Sequence, residues 1–400
     1  GTYVADLDND GFMDFIAGGY SDSVGKQVVN VFFSNGDKTF TMETLEHGCQ
    51  EGSLLIMDAD NDGNQDIFVS GYGTDNGIFM HKNNGDRTFT FKSNSEIGLS
   101  DSGDGAWGWA SCRAYMVAGD LNNDGYNDIV THCHWDGSNQ YTYIVLNNGD
   151  GTFTHNANHA GASVREGGVS IFDYNHDGRL DVHVYGWGDV PSQHPRGEDL
   201  NWFNIIMQND IYVRPYSAPV MFNTYYEQAG DDVLLKWDAA YDEITGEAGI
   251  RYNVYAKNLV SGEVSMVAPA NIETGYLKFT NHGSFLNATS YTFKGMIAEN
   301  YEFGVQAINN GNVAGEFVTC VLNPLTSVEG VEVAATVKVF AFGGDIRIIN
   351  KGEVANYAVY AVNGMQVAAG NVAANGTVTV NADKGVYIVK AGTQVVKVVL

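Results

Sequence analysis

Four short stretches of this 400-residue chain each crowd three or four aspartates into nine positions. They are ADLDNDGFMDFIAGG (5–19), MDADNDGNQDIFVSG (57–71), AGDLNNDGYNDIVTH (118–132) and IFDYNHDGRLDVHVYG (171–186). Carboxylates this close repel one another, and their pKa values rise unless a cation neutralises them. Ca²⁺ is a hard cation that takes about six to eight oxygens, and the pattern D-x-[DN]-x-D-G-x-x-D supplies oxygens alone. Positions 1, 3, 5 and 9 offer side chains, and position 7 offers its backbone carbonyl. The expected ligand sets are Asp6, Asp8, Asp10, Asp14 with Phe12; Asp58, Asp60, Asp62, Asp66 with Asn64; Asp120, Asn122, Asp124, Asp128 with Tyr126; and Asp173, Asn175, Asp177, Asp181 with Arg179. At position 6 stand Gly11, Gly63, Gly125 and Gly178, where a sharp turn disfavours a Cβ.

An EF-hand loop opens in the same way but needs a bidentate Glu at position 12. Here that position holds Ala17, Val69, Thr131 and Val184, and the residues after each loop (DFIAGG, DIFVSG, DIVTH, DVHVY) have the composition of strands. The expectation is about four Ca²⁺ ions, one per loop, acting as structural clamps between strands. Mg²⁺ fits less well, because it keeps its waters.

The elements that position these loops repeat with them. The first aspartates, Asp6, Asp58, Asp120 and Asp173, are 52, 62 and 53 residues apart. A second motif follows the first three loops: FFSNGDKTFT (32–41), HKNNGDRTFT (81–90) and LNNGDGTFT (146–154); the fourth copy, IIMQNDIYVRP (205–215), is degraded. Asn-Gly between alternating apolar residues signals a hairpin. Each unit therefore runs strand, aspartate loop, strand, spacer, strand, turn, strand, which has the size of a propeller blade. In these motifs residues 1–218 resemble the FG-GAP/VCBS repeats of integrin α-type propellers and many bacterial surface proteins. The resemblance implies four calcium-loaded blades. Four blades can close a small ring, but integrin-type rings usually have more. Of the two readings, a small closed array or blades missing upstream of Gly1, the second is favoured because the chain opens directly on a strand.

Six residues past the last aspartate of each loop stand Tyr20, Tyr72, His134 and Trp187, followed by Asp22, Asp75, Asp136 and Asp189. A strand carries the chain about 17–20 Å, so these residues belong on the face opposite the loops. Two readings stay open: packing between blades, or a ligand face to which Trp107 and Trp109 of a glycine-rich insert add.

After residue 218 the pattern changes. VLLKWDA (233–239), RYNVYAKN (251–258) and YEFGVQAINNGNVAGEF (301–317) resemble a fibronectin type III sandwich over 219–322, with Trp237 and Tyr301 in its core and Tyr301 a candidate tyrosine corner. Residues 327–400 carry ANYAVYAVNGMQVAAG and KGVYIVKAGTQVVKVVL, and resemble the C-terminal sorting domains of Bacteroidetes, small β-sandwiches often read by the type IX secretion system. That resemblance implies secretion machinery as a partner, with a secreted or cell-surface location. The fold class expected overall is all-β: propeller-type blades followed by two β-sandwich domains.

Composition narrows the function. A formal charge of −27 argues against nucleic acid and anionic membranes, both of which call for clustered Lys and Arg. Four divalent ions would bring that charge to −19. No apolar run is long enough for a transmembrane helix, so membrane insertion is not expected. The four cysteines form no C-x-x-C pair; Cys112 and Cys133 flank the third loop on neighbouring strands and are candidates for a disulfide. No G-x-S-x-G, H-E-x-x-H or phosphate-binding glycine loop is present, so no catalytic residue is nominated. The favoured function is non-catalytic adhesion, binding an extracellular glycan or protein. The alternative is a secreted polysaccharide-active enzyme, a lyase or hydrolase, on a calcium-loaded propeller.

Overall fold

The computed structural model describes residues 1–72, 77–99, 115–132, 142–155, 165–187, 202–211, 215–278, 285–323, 337–342, 344–362, 364–392 and 394–400. They contain strands, turns and short 3₁₀ segments, with no α-helix among the described residues. The chain divides into two compact units, Gly1–Asn323 and Pro324–Leu400.

Four antiparallel sheets begin the first unit. Sheet 1 is β1 (Thr2–Ala5), β2 (Asp14–Ser21), β3 (Lys26–Ser34) and β4 (Phe40–Glu46). Sheet 2 is β5 (Gln50–Met57), β6 (Asp66–Tyr72), β7 (Ile78–Asn83) and β8 (Phe89–Lys92). Sheet 3 is β9 (Tyr115–Gly119), β10 (Asp128–His132), β11 (Thr142–Asn147) and β12 (Phe153–His155). Sheet 4 has three described strands, β13 (Arg165–Phe172), β14 (Asp181–Trp187) and β15 (Trp202–Met207). In every sheet the strands follow chain order, as hairpin connections dictate.

The two-residue side-chain period of a strand explains how the sheets stack. After Asp66, Ile67 and Val69 face sheet 1 and join its Ile16, Val29 and Val31, whereas Phe68 faces sheet 3 and joins Ile129, Val145 and Phe153. After Asp128 the alternation repeats, with Ile129 toward sheet 2 and Val130 toward Val182 and Val184 of sheet 4. These strands are apolar on both faces because each lies between two sheets. Core clusters thus join sheets 1–2, 2–3 and 3–4; among the described residues none joins sheet 4 to sheet 1.

The same unit continues into a sandwich. One sheet has the order β20-β17-β16-β23, from β16 (Thr224–Ala229), β17 (Asp232–Trp237), β20 (Ser290–Phe293) and β23 (Val321–Leu322). The other has the order β19-β18-β21-β22, from β18 (Arg251–Asn258), β19 (Val264–Met266), β21 (Tyr301–Ile308) and β22 (Val318–Thr319). Trp237 is buried between them, 5.3 Å from the Tyr252 ring, and Tyr301 packs half-buried against the same core. Within this core the Tyr252 hydroxyl accepts the Ala240 N–H at 2.9 Å.

The second unit is also two-layered. One sheet is β24 (Val337–Phe342), β25 (Asp345–Asn350) and β28 (Gly376–Val380); the other is β26 (Ala355–Ala361), β27 (Gln366–Val372), β29 (Val386–Ala391) and β30 (Gln394–Val399). Ile346, Ile348, Val359 and Val389 fill the space between them.

Phe68 tests the stacking directly, because it is fully buried between two sheets with its ring 5.5 Å from that of Phe153. Phe68→Ala should cost about 3–5 kcal/mol in urea unfolding of the first unit. A cost under about 1 kcal/mol would mean that this interface is not packed as described.

Candidate functional site: four aspartate loops

Each aspartate loop joins the first two strands of its sheet. The residue before position 1 pairs with the aspartate at position 9: Ala5 with Asp14, Met57 with Asp66, Gly119 with Asp128 and Phe172 with Asp181. Between these anchors the chain folds around its own carboxylates in the same way four times. The position-1 carboxylate accepts the N–H of position 5 on one oxygen and that of the position-6 glycine on the other, as Asp6 does from Asp10 (3.1 Å) and Gly11 (3.0 Å). Asp58, Asp120 and Asp173 repeat the arrangement. The position-5 carboxylate accepts the N–H of position 7 at 2.8–3.1 Å. Two left-handed residues complete the turn: position 4 (Asn9, Asn61, Asn123, His176; φ 54–59°) and the position-6 glycine (φ 77–98°). A left-handed conformation is cheap for Gly and tolerated by Asn, which accounts for the residue types.

The position-9 aspartate ties loop to sheet. Asp14, Asp66, Asp128 and Asp181 are all 0% exposed. One oxygen of each accepts the position-2 N–H, from Leu7, Ala59, Leu121 and Tyr174. The other accepts an N–H from the end of the third strand or the turn beyond it, from Ser34, Asn83, Asn147 and Asn209. The degraded fourth motif therefore keeps this contact through the main chain of Asn209.

The structure gathers carboxylate oxygens of Asp6, Asp8 and Asp14, and of Asp58, Asp60 and Asp66, within 4.8 Å of one another. The position-5 acids, Asp10 and Asp62, stand outside these two groups, and each shares a basic side chain with the position-3 acid of its loop. Arg87 reaches Asp8 (2.5 Å) and Asp10 (3.5 Å), and Lys82 reaches Asp60 (2.5 Å) and Asp62 (3.0 Å). In the third and fourth loops the position-3 amides of Asn122 and Asn175 donate to Asp124 and Asp177 at 2.8 Å, and Arg179 pairs with Asp177. Among the described residues these ion pairs stop at positions 3 and 5. Among the described residues the carboxylates at positions 1 and 9, all buried except half-buried Asp173, accept hydrogen bonds only from neutral donors.

Burial of charge without a counter-ion is costly. It pushes Asp6 up to about 8, opposed by the Gly11 N–H and reinforced by Asp14, Asp10 and Asp8. Asp14 and Asp58 rise to about 7, both chiefly through burial. Asp120 rises to about 6 through burial, opposed by the hydrogen bond from the Tyr216 hydroxyl, and Asp66 and Asp128 are held well above the usual carboxylate range by burial. The residues fit a hard divalent cation: every donor is an oxygen, the oxygens converge, and buried Asp60 Oδ1 has no hydrogen-bond partner.

The sandwich touches these loops. Asn310 accepts the Asp120 N–H on its backbone oxygen (3.2 Å) and donates its amide to the Gly125 carbonyl (3.0 Å) and to Asn61 (3.3 Å). Gln65, inside the second loop, donates to Asn287 at 2.5 Å. Sequence reading missed Tyr216, Asn287 and Asn310, whose roles depend on packing between segments far apart in the chain. It also passed over position 4, although Asn recurs there three times.

Of the expected aromatic positions, Tyr20 ends β2 and is 54% exposed. Tyr72 and Trp187 end β6 and β14, with only their backbones described. Trp107, Trp109 and His134 lie outside the described residues, as do Asp75, Asp136, Asp189, Cys112 and Cys133. Cys49 and Cys320 are buried free thiols. No helix among the described residues is long and apolar enough to cross a membrane.

Residues 58–131 and 120–184 match the model of the FG-GAP-like repeat, so the chain carries such repeats. It is similar to integrin alpha pat-2 of Caenorhabditis elegans, 28% identical over 210 residues, and to that of Caenorhabditis briggsae, 28% identical over 214. Each match covers 47% of this chain and 17% of the relative, so the chain spans a minor part of either. Solved structures match at lower similarity. The FN1–FN3 domains of chicken CNTN1 are 13% identical with a TM-score of 0.18, over 55% of this chain and 74% of that one. A fungal alcohol oxidase of the AA5 family, in complex with copper, is 11% identical with a TM-score of 0.29, over 99% and 96%. Likeness this low carries no conclusion about fold or chemistry.

The raised carboxylates set the pH dependence of the metal-free protein. A group whose folded pKa lies above its unfolded value contributes stability that is present below the unfolded value and lost as pH rises through the folded one. Asp6, Asp14 and Asp58 place that loss between about pH 4 and 8. Melting of the metal-free first unit should therefore fall from pH 6 to pH 8. A flat or rising profile would contradict the burial described.

Proposed function

We propose that each aspartate loop holds one Ca²⁺ and that the chain is an extracellular or surface-attached repeat protein that binds rather than catalyses. The observation that carries the metal reading is the buried carboxylates at position 9 of all four loops and position 1 of the first three, which accept hydrogen bonds only from neutral donors among the described residues. Calcium, unlike magnesium, accepts the many protein oxygens and irregular geometry of such loops. Asp6, Asp8 and Asp14, and Asp58, Asp60 and Asp66, would form the inner sets of the first two sites. In the third and fourth, Asn122 and Asn175 would give neutral amide oxygens where the first two give carboxylates.

The similarity to integrin alpha pat-2 supports a location outside the cell and a role in adhesion. The ligand class proposed is an extracellular glycan or protein, met on the side of the sheets opposite the loops, where Tyr20 is exposed. The two-sheet unit from residue 337 onward is proposed to be the element read by the secretion machinery, and the sandwich before it a fibronectin type III-like spacer. All four ions act structurally, since each loop joins two strands whose pairing starts at a metal ligand.

Thermal melting of the whole chain in saturating calcium and in excess chelator tests this. A site filled at a hundredfold its dissociation constant contributes about 2.7 kcal/mol, so calcium should raise the first transition by well over 5 °C. Identical melting in the two buffers would rule out the structural calcium role.

A further inference from the structure

The four loops are not independent pockets, because position 4 of each of the first three carries an asparagine whose amide bonds to the next loop. Asn9 donates its amide to the Gly63 carbonyl of the next loop at 3.1 Å. Asn61 does the same to Gly125 at 2.9 Å, and Asn123 to Gly178 at 3.2 Å. In every case the donor is a left-handed asparagine and the acceptor is the position-6 glycine. That glycine's N–H is at the same time bound by the position-1 carboxylate of its own loop.

A second series of contacts runs the other way. Asn83, Asn147 and Asn209 each donate at 2.7 Å to the position-2 carbonyl of the preceding loop, at Leu7, Ala59 and Leu121. The same three amides donate to the position-8 carbonyl of their own loop, at Gln65, Asn127 and Leu180. Every junction between consecutive loops is thus bridged in both directions. Blade 1 has no loop before it in this chain, and there the matching position is Ser34.

We propose that the position-4 asparagines are positioning residues that make the loops fill cooperatively, loading of one loop raising the cation affinity of the next. This rests on the calcium reading. A free loop must be ordered before it can chelate, and that ordering opposes binding. Once one loop is fixed, its asparagine holds the neighbouring glycine in the left-handed turn that the neighbouring site requires, so the second ion meets a smaller ordering cost. Coupling through shared order needs no change of shape, and linkage makes it reciprocal. The series also ends on the sandwich. Gly125 O accepts from Asn310 as well as Asn61, and Gly178 O accepts the Tyr216 N–H at 3.1 Å.

The test is calorimetric titration of the whole chain with Ca²⁺, comparing the native sequence with Asn61→Gly and Asn9→Gly. Glycine keeps the left-handed backbone at these positions (φ 54° and 57°) and removes only the amide, and neither residue is a proposed ligand. The expected native isotherm is steeper than that of independent sites. In each variant the number of ions should stay the same while the curve flattens and the overall affinity weakens by roughly 3- to 10-fold, the scale of one hydrogen bond. If Asn61→Gly disturbs the sandwich contact, Asn9→Gly, two loops away from Gly125, answers alone. A native isotherm of independent sites, or variants with undiminished steepness, would overturn the coupling and leave the calcium reading intact. No heat and no bound ion would overturn the calcium reading, and the coupling with it.

Discussion

A carboxylate can be taken out of water only if something replaces the water, and the aspartate loops of the first unit do so at seven aspartates. Those at position 9 bear the heaviest constraint. Each is closed off from solvent, and each uses both oxygens to hold two main-chain N–H groups from different parts of its sheet. Each sits opposite the last residue of the preceding strand, so the hairpin, the aspartate loop and the approach of the third strand share one side chain. Loss of that side chain would leave two buried N–H groups unpaired, and each such group costs about 1–3 kcal/mol. The apolar alternation of the sheets decides which neighbour each strand faces.

Neutral donors satisfy the geometry of these carboxylates but not their charge. Arg87 pairs with Asp8 and Asp10 and Lys82 with Asp60 and Asp62. The charge of Lys82 is felt at buried Asp66, but among the described residues no ion pair reaches the inner pairs Asp6–Asp14 and Asp58–Asp66 directly. The same arrangement explains the tie between loops and sandwich. Tyr216 and Asn310 come from beyond the repeats, yet they bond to Asp120 and Gly125 within the third loop. Repeats and sandwich accordingly form one compact unit, whereas the C-terminal sheets form another.

Much of this was legible in the sequence. The aspartate spacing showed where the loops lie, and the β-type residues after them excluded helices there. Asn-Gly pairs marked the hairpin turns correctly. Two kinds of information were not legible. The partners of Asn9, Asn61 and Asn123 lie 54, 64 and 55 residues away, and a local pattern cannot show which carbonyl an amide will meet. The contacts of Asn287 and Asn310 depend on how a sandwich docks on loops more than a hundred residues earlier. The fourth copy of the turn motif looked degraded because its glycine and aspartate pattern had gone, while the contact it supplies is made by the backbone N–H and amide of Asn209.

The measurement closest to the centre of this account is the number of calcium ions held by one intact chain, counted by native mass spectrometry after equilibration in calcium. Four ions per chain are predicted, falling to three in Asp14→Asn, which keeps the shape of the side chain and removes one buried charge from the first loop. A chain that carries no calcium, or whose count is unchanged by that substitution, would contradict the view that a metal ion balances the buried aspartates.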